Sequence, residues 1–163
     1  MVRRLNVSET TTQQRSLAKG LLAGLIAGLV ATAAKSIAEK FYPPFLNGEA
    51  EPPEILAEEL AGHPLSPSTR AVASESIHWG FGAAVGAAYG ALAEFYPAAT
   101  DKEGATFGLA LMTLTHETAL PAMGLSAQVE EQTPREQTSE AASHLLYGLV
   151  AERVRSFVRG MLG

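Results

Sequence analysis

Cysteine is absent from this chain of 163 residues, which removes disulfides, thiolate metal ligands and thiol nucleophiles together. Basic residues are also scarce: 12 Lys and Arg against 17 Asp and Glu leave a formal net charge of −5. No basic face of the kind that phosphate binding needs can be assembled from them, so a nucleic-acid partner is excluded. From Phe41 until Arg70 there is no Lys or Arg at all. Charge of either sign is missing between Gly20 and Ala34. Ser74, Ser139 and Ser143 stand near carboxylates and histidines, but no nucleophile elbow, triad spacing or phosphate loop accompanies them. No enzyme is expected.

What is present is apolar and segregated. A hydrophobic content of 47% and a mean hydropathy of +0.09 do not by themselves announce a membrane protein. The uncharged stretch from Gly20 to Ala34, however, is flanked by Lys19 and Lys35, whose stems can snorkel, and the whole is close to the roughly 20 residues that a bilayer requires. Ile77 to Ala93, Gly104 to Thr115 and Ala141 to Ala151 are shorter or weaker, and persuade as a set. They predict an all-α fold: a four-helix transmembrane bundle in one membrane domain over 17–160, with helices near 17–40, 71–95, 103–121 and 137–159, behind a polar arm at 1–16. In the acidic, proline-rich connection from Phe41 to Arg70, Pro53 at a helix start, Leu56 and Leu60 four apart, and Gly62 as a stop predict a short amphipathic surface helix. His63 follows it as a solvated loop residue. The first apolar run leads into Lys and Glu and not a cleavage site, so the first helix is expected to remain as an anchor.

Basic residues cluster at Arg3, Arg4, Arg15 and Lys19 before the first helix and at Arg153, Arg155 and Arg159 at the end of the fourth. By the positive-inside rule both termini are cytoplasmic and the acidic loop is outside. Glu94 and Glu152 then serve as interfacial charges at the cytoplasmic ends, with Arg153 and Arg155 nearby.

Small residues recur every fourth position. Gly20, Gly24 and Gly28 continue to Thr32 and Ser36; Gly82, Gly86 and Gly90 reach back to His78; Gly104 and Gly108 lead on to His116; and Glu140, His144 and Gly148 form a further row. Positions four apart share a helix face, and close approach through small residues replaces the hydrophobic reward that lipid does not offer. Each histidine is therefore predicted to project into the bundle. A faint repeat accompanies the rows: Ser74-Glu75 recurs as Ser139-Glu140, and Tyr89-Gly90 as Tyr147-Gly148.

In antiparallel succession these helices bring Lys35, Glu39, Glu75, His78, His116, Glu117, Glu140 and His144 to one depth near the outer face. Ionisable groups within a membrane are costly unless paired, so such a layer is a functional-site hypothesis.

The strings Lys35, Ala38-Glu39 and Pro43-Pro44, then His78, Phe81, Val85-Gly86, Tyr89, Ala93-Glu94 and Pro97, then Gly104, Gly108, His116, Pro121 and Met123-Gly124-Leu125, then Ser139-Glu140 and His144-Leu145 resemble the YagU-like inner-membrane proteins, a domain of unknown function. The resemblance spans roughly Gly20 to Arg155. It implies a small multi-pass protein of the bacterial inner membrane, linked to acid resistance and without established catalysis. Phe45 stands where a basic residue is expected after the double proline, and the first connection is shorter.

Such a layer can serve three ends. Mutual pairing of His, Glu and Lys35 can fix helix register. Histidine titration can make the layer sense or relay protons as the outside acidifies, which is the working expectation. Alternatively it holds zinc, iron or haem: His78, His116 and His144 suit one zinc, and Glu75-x-x-His78 with Glu140 has part of a di-iron ligand set. The expected partners are the lipid bilayer and either further copies or a larger membrane complex.

Overall fold

Hydroxyl caps and helix-starting prolines set where the long helices begin. The computed structural model describes residues 14–45 and 49–163; most of the expected N-terminal arm lies outside them. Helix α1 (Leu17–Phe41) starts where Ser16 accepts the Lys19 amide, α3 (Pro67–Phe95) where Ser66 accepts that of Thr69, and α6 (Pro134–Met161) where Thr133 accepts that of Glu136. Proline at the first position of α3 and α6 has no amide to leave unsatisfied, so both begin earlier than residues 71 and 137, where the apolar pattern alone places them. Helix α2 (Pro52–Ala61) ends at Gly62 in the left-handed conformation with φ 70°. It is more than a surface helix, since it buries Pro52 and Ala57 while packing on α3.

The third long segment is not one helix. After 3-10 turns interrupted by a kink at Asp101, Lys102 and Glu103 (Pro97–Gly104) come α4 (Ala105–Leu114), a π turn (Thr115–Ala119) and the single turn α5 (Leu120–Ala122). Pro121 accounts for the break. Its ring would collide with the Glu117 carbonyl in a continuous α-helix, and widening the ladder, so that the Leu120 amide reaches Thr115 O, relieves the clash. The carbonyl of His116 is thereby freed, and Gln132 Nε2 donates to it at 3.1 Å.

Glycines then decide which helices meet. On α1, Gly20, Gly24 and Gly28 lie against Gly90, Gly86 and Gly82 of the antiparallel α3; a methyl on Gly28 would stand 2.9 Å from Gly86 Cα. On α4, Gly108 lies against Gly148 of α6, where a methyl on Gly148 would stand 2.8 Å from Gly108 Cα. α1 also packs on α6. Tyr89 of α3 stacks on Phe107 of α4 at 4.0 Å between centroids and closes the arrangement. The glycine rows are thus used within the chain.

Packing is inside-out in size. The buried apolar residues are mostly small, among them Ala23, Ala27, Ala31, Ala93 and Ala151, whereas Leu21, Leu22, Leu25, Leu29 and Val30 of α1 point outward. The described residues are all-helical, with no strand. Among them one helix, α1, is long and apolar enough to cross a membrane. Helices α3 and α6 have the length but not the apolarity, and α4 is short, so composition supports one span where four were expected.

Candidate functional site: a charged layer beneath a cavity

Glu140 sits one turn before His144 on the face of α6 that continues to Gly148, and this face is held against α1 and α4. Glu140 is 4% exposed, and its carboxylate gathers nitrogen partners from three elements. Lys35 Nζ of α1 lies 3.3 Å from Glu140 Oε2, His116 Nε2 of the π turn 3.4 Å, and His144 Nδ1 3.2 Å. Lys35 also pairs with Glu39 one turn later on α1, and Ser143 Oγ donates to Glu39 Oε1 at 3.1 Å. His144 Nδ1 is 2.9 Å from the Glu140 carbonyl; a carbonyl only accepts, so Nδ1 carries the proton and Nε2 is the basic nitrogen. The His116 and His144 rings meet edge to face at 4.9 Å.

The charges do not cancel. Lys35 carries one positive charge against the negative charges of Glu39 and Glu140, so with neutral imidazoles this buried group is one positive charge short. Buried ions without full compensation are expensive, and a nearby basic nitrogen can supply the missing charge.

Above the group lies a cavity of about 610 Å³. Thr32, Lys35, Ser36, Glu39, His78, His116, Glu140, His144 and Tyr147 line it, together with apolar residues of α2, α3, α4 and α5. His78 belongs to this wall but not to the Glu140 cluster; its Nε2 is 3.2 Å from Ser36 Oγ. Glu75 is exposed at the rim and accepts the Trp79 indole N–H at 2.9 Å. Glu117 is a correction: half-buried on the π turn, it does not line the cavity and makes no hydrogen bond or ion pair among the described residues. The turn that carries His116 into the layer rotates its neighbour out of it. Of the eight expected residues, five are joined directly, two share the cavity wall and one is elsewhere.

His116, Glu140 and His144 can each offer a ligand atom, all within 4.8 Å of one another, and are the residues placed to hold a metal ion. The three-histidine zinc set and the di-iron set do not assemble, because His78 is turned to Ser36 and Glu75 to Trp79. Haem between His116 and His144 has no room either, with the two rings in edge contact.

Several partners escaped sequence reasoning. Ser36 and Thr32 extend the α1 glycine row, a signal that was available; Thr32 Oγ1 occupies the space that a side chain on Gly82 would fill. Tyr147 OH donates to Gly82 O at 2.8 Å, which had no sequence signal. At the opposite end the Glu94 carboxylate is held on several sides: Arg159 grips it through Nε at 2.8 Å and Nη2 at 2.6 Å, and the Ser16 amide donates at 2.7 Å. Glu152 takes Arg155 at 2.6 Å and the Tyr89 hydroxyl at 2.7 Å. Arg153 instead pairs with Glu103 at the surface.

A family model described as "Protein of unknown function (DUF1440)" matches residues 29–153. No curated protein and no solved structure matches the chain.

Proposed function

This chain belongs to the DUF1440 family of proteins of unknown function, and we propose that it is a multi-pass protein of the bacterial inner membrane whose charged layer senses or relays protons. The inside-out packing supports the membrane assignment. In water, leucines would be drawn inward and alanines tolerated outside; lipid makes no such demand, and small residues at the helix contacts are what it favours. The basic residues near both termini support an orientation with the Arg159 end at the cytoplasm and the cavity at the outer face. An outward-facing proton site agrees with the acid-stress role that the YagU-like resemblance implies.

The missing positive charge at Glu140, with two imidazoles in reach, carries the proton assignment. Histidine is the side chain whose unperturbed titration, near 6.5, falls in the range over which an external medium acidifies. A proton on the His116–His144 pair completes the charge balance against Glu39 and Glu140. A second, on the other imidazole or on His78, sets like charge against Lys35. Glu140 contacts both imidazoles, and Lys35, Glu39 and Lys40 of α1, Glu51 of the first connection, and Glu75 and His78 of α3 line the same cavity. Repulsion falls where the π turn meets α6, a junction without the glycine contacts found further along α4, and is relieved by moving that turn.

The test is NMR titration of ¹³C-labelled imidazoles in lipid nanodiscs between about pH 4 and pH 8, with each histidine replaced in turn. His116 and His144 are expected to titrate in coupled steps that become a single step in His116→Ala. Absence of titration in that window, or a stoichiometric metal ion retained by the purified protein, would refute the proposal.

A further inference from the structure

The cavity is far larger than proton transfer needs. At about 610 Å³ it falls within the roughly 300–1,000 Å³ typical of small-molecule sites. Its walls are hydrocarbon: Leu56 of α2, Ile77 and Phe81 of α3, Leu111 of α4, and Leu120 and Met123 at α5. Its ionisable lining is acidic, with Glu39 and Glu140 at the floor and Glu51 and Glu75 at the rim, against Lys35 and Lys40. Lys35 is already engaged by both floor carboxylates, so no buried cation stands ready for an anion. Glu75 has given one acceptor position to the Trp79 indole and keeps the others. Partial desolvation, then the nearby carboxylates of Glu39 and Glu54, hold the Glu51 carboxyl above its ordinary range, a sign of surplus negative charge at the mouth.

From this lining we infer that the cavity binds an organic cation with an apolar body, an ammonium-type or phosphonium centre lying among the carboxylates and its hydrocarbon against Ile77, Phe81, Leu111 and Met123. The Phe81 face adds the attraction of an aromatic quadrupole for such a centre. Shape admits the body and charge selects the sign; an anion of the same shape meets four carboxylates. The inference does not depend on imidazole titration and stands apart from the proton proposal.

Two ions of nearly the same shape and opposite charge test it. The full chain in zwitterionic nanodiscs at pH 8 is equilibrated with tetraphenylphosphonium or with tetraphenylborate. Retention above empty nanodiscs is measured by dialysis, and binding is followed by fluorescence of Trp79, the chain's one tryptophan. Saturable binding of the phosphonium, about tenfold or more tighter than the borate, is expected. The rim variant Glu51→Gln/Glu75→Gln, which touches two exposed side chains and should leave the helical circular dichroism unchanged, is expected to weaken phosphonium binding by about tenfold. Equal affinity for both ions, phosphonium retention no greater than in empty nanodiscs, or an unaffected rim variant would each overturn the inference.

Discussion

Replacing Lys35 by methionine tests the charge accounting of the layer most directly. Methionine keeps the length of the stem and removes the ammonium. Lys35 is 8% exposed, and its Nζ lies 3.3 Å from Glu140 Oε2 while also pairing with Glu39. At an effective dielectric near 20, a pair at that separation attracts by about 5 kcal/mol before desolvation is subtracted. Much of that attraction offsets the cost of burying the ammonium, but the two carboxylates left behind keep their own burial cost without compensation. Breaking a buried pair by removing one partner typically costs about 3–5 kcal/mol, and that is the expected loss for Lys35→Met at pH 8. The sign of its pH dependence also follows. Two unpaired carboxylates beside two imidazoles favour a folded state that takes up a proton, so stabilisation by the imidazolium is present at low pH and lost as the medium becomes alkaline. The deficit relative to the parent should therefore shrink on acidification to about pH 5, below the ordinary imidazole value. Unfolding by SDS in mixed micelles, followed by circular dichroism at both pH values, measures it. A loss under about 1 kcal/mol at pH 8, or one that does not change with pH, would refute the reasoning.

Two further predictions concern the frame. Gly86→Leu puts a side chain into the backbone of Gly28 and should destabilise by at least the roughly 1–3 kcal/mol of an overpacked core, whereas Gly80→Ala, which meets nothing within 4 Å, should be neutral or mildly stabilising; equal melting temperatures for the two would contradict the α1–α3 contact. Pro121→Ala restores the missing amide and removes the clash behind the π turn. The turn is expected to tighten, rotating the residues on either side by about 100° relative to each other and separating His116 from Glu140, so His116 and His144 should then titrate independently. An unchanged coupled titration would show that the π turn does not depend on the proline.

Part of this site could be read from spacing because it depends on nothing beyond one helix. Lys35 with Glu39 and Glu140 with His144 are neighbours four apart, and the row from Gly148 through His144 to Glu140 lies on one face wherever the helix packs. Glu117 was misplaced because its position assumed a regular helix as far as Pro121; the wider turn before the proline sends His116 inward and its neighbour away. The grip of Arg159 on Glu94 joins residues 65 apart in sequence, and no local period indicates it. His78 was expected among the other imidazoles, and Ser36 was read as part of a packing row and not as the partner of His78, for the same reason. Which row faces which is a matter of helix pairing.

The sequence by itself determined the helical class, the small-residue rows and the kinds of charge that come to one end, because helix periodicity and charge are properties of each segment alone. Only the tertiary structure decided that Glu140 is the meeting point of Lys35, His116 and His144, that the layer lacks one positive charge, and that a cavity lies above it. Those outcomes depend on the antiparallel register of glycine against glycine and on the break at Pro121, and a shift of one helical turn in either would pair different charges.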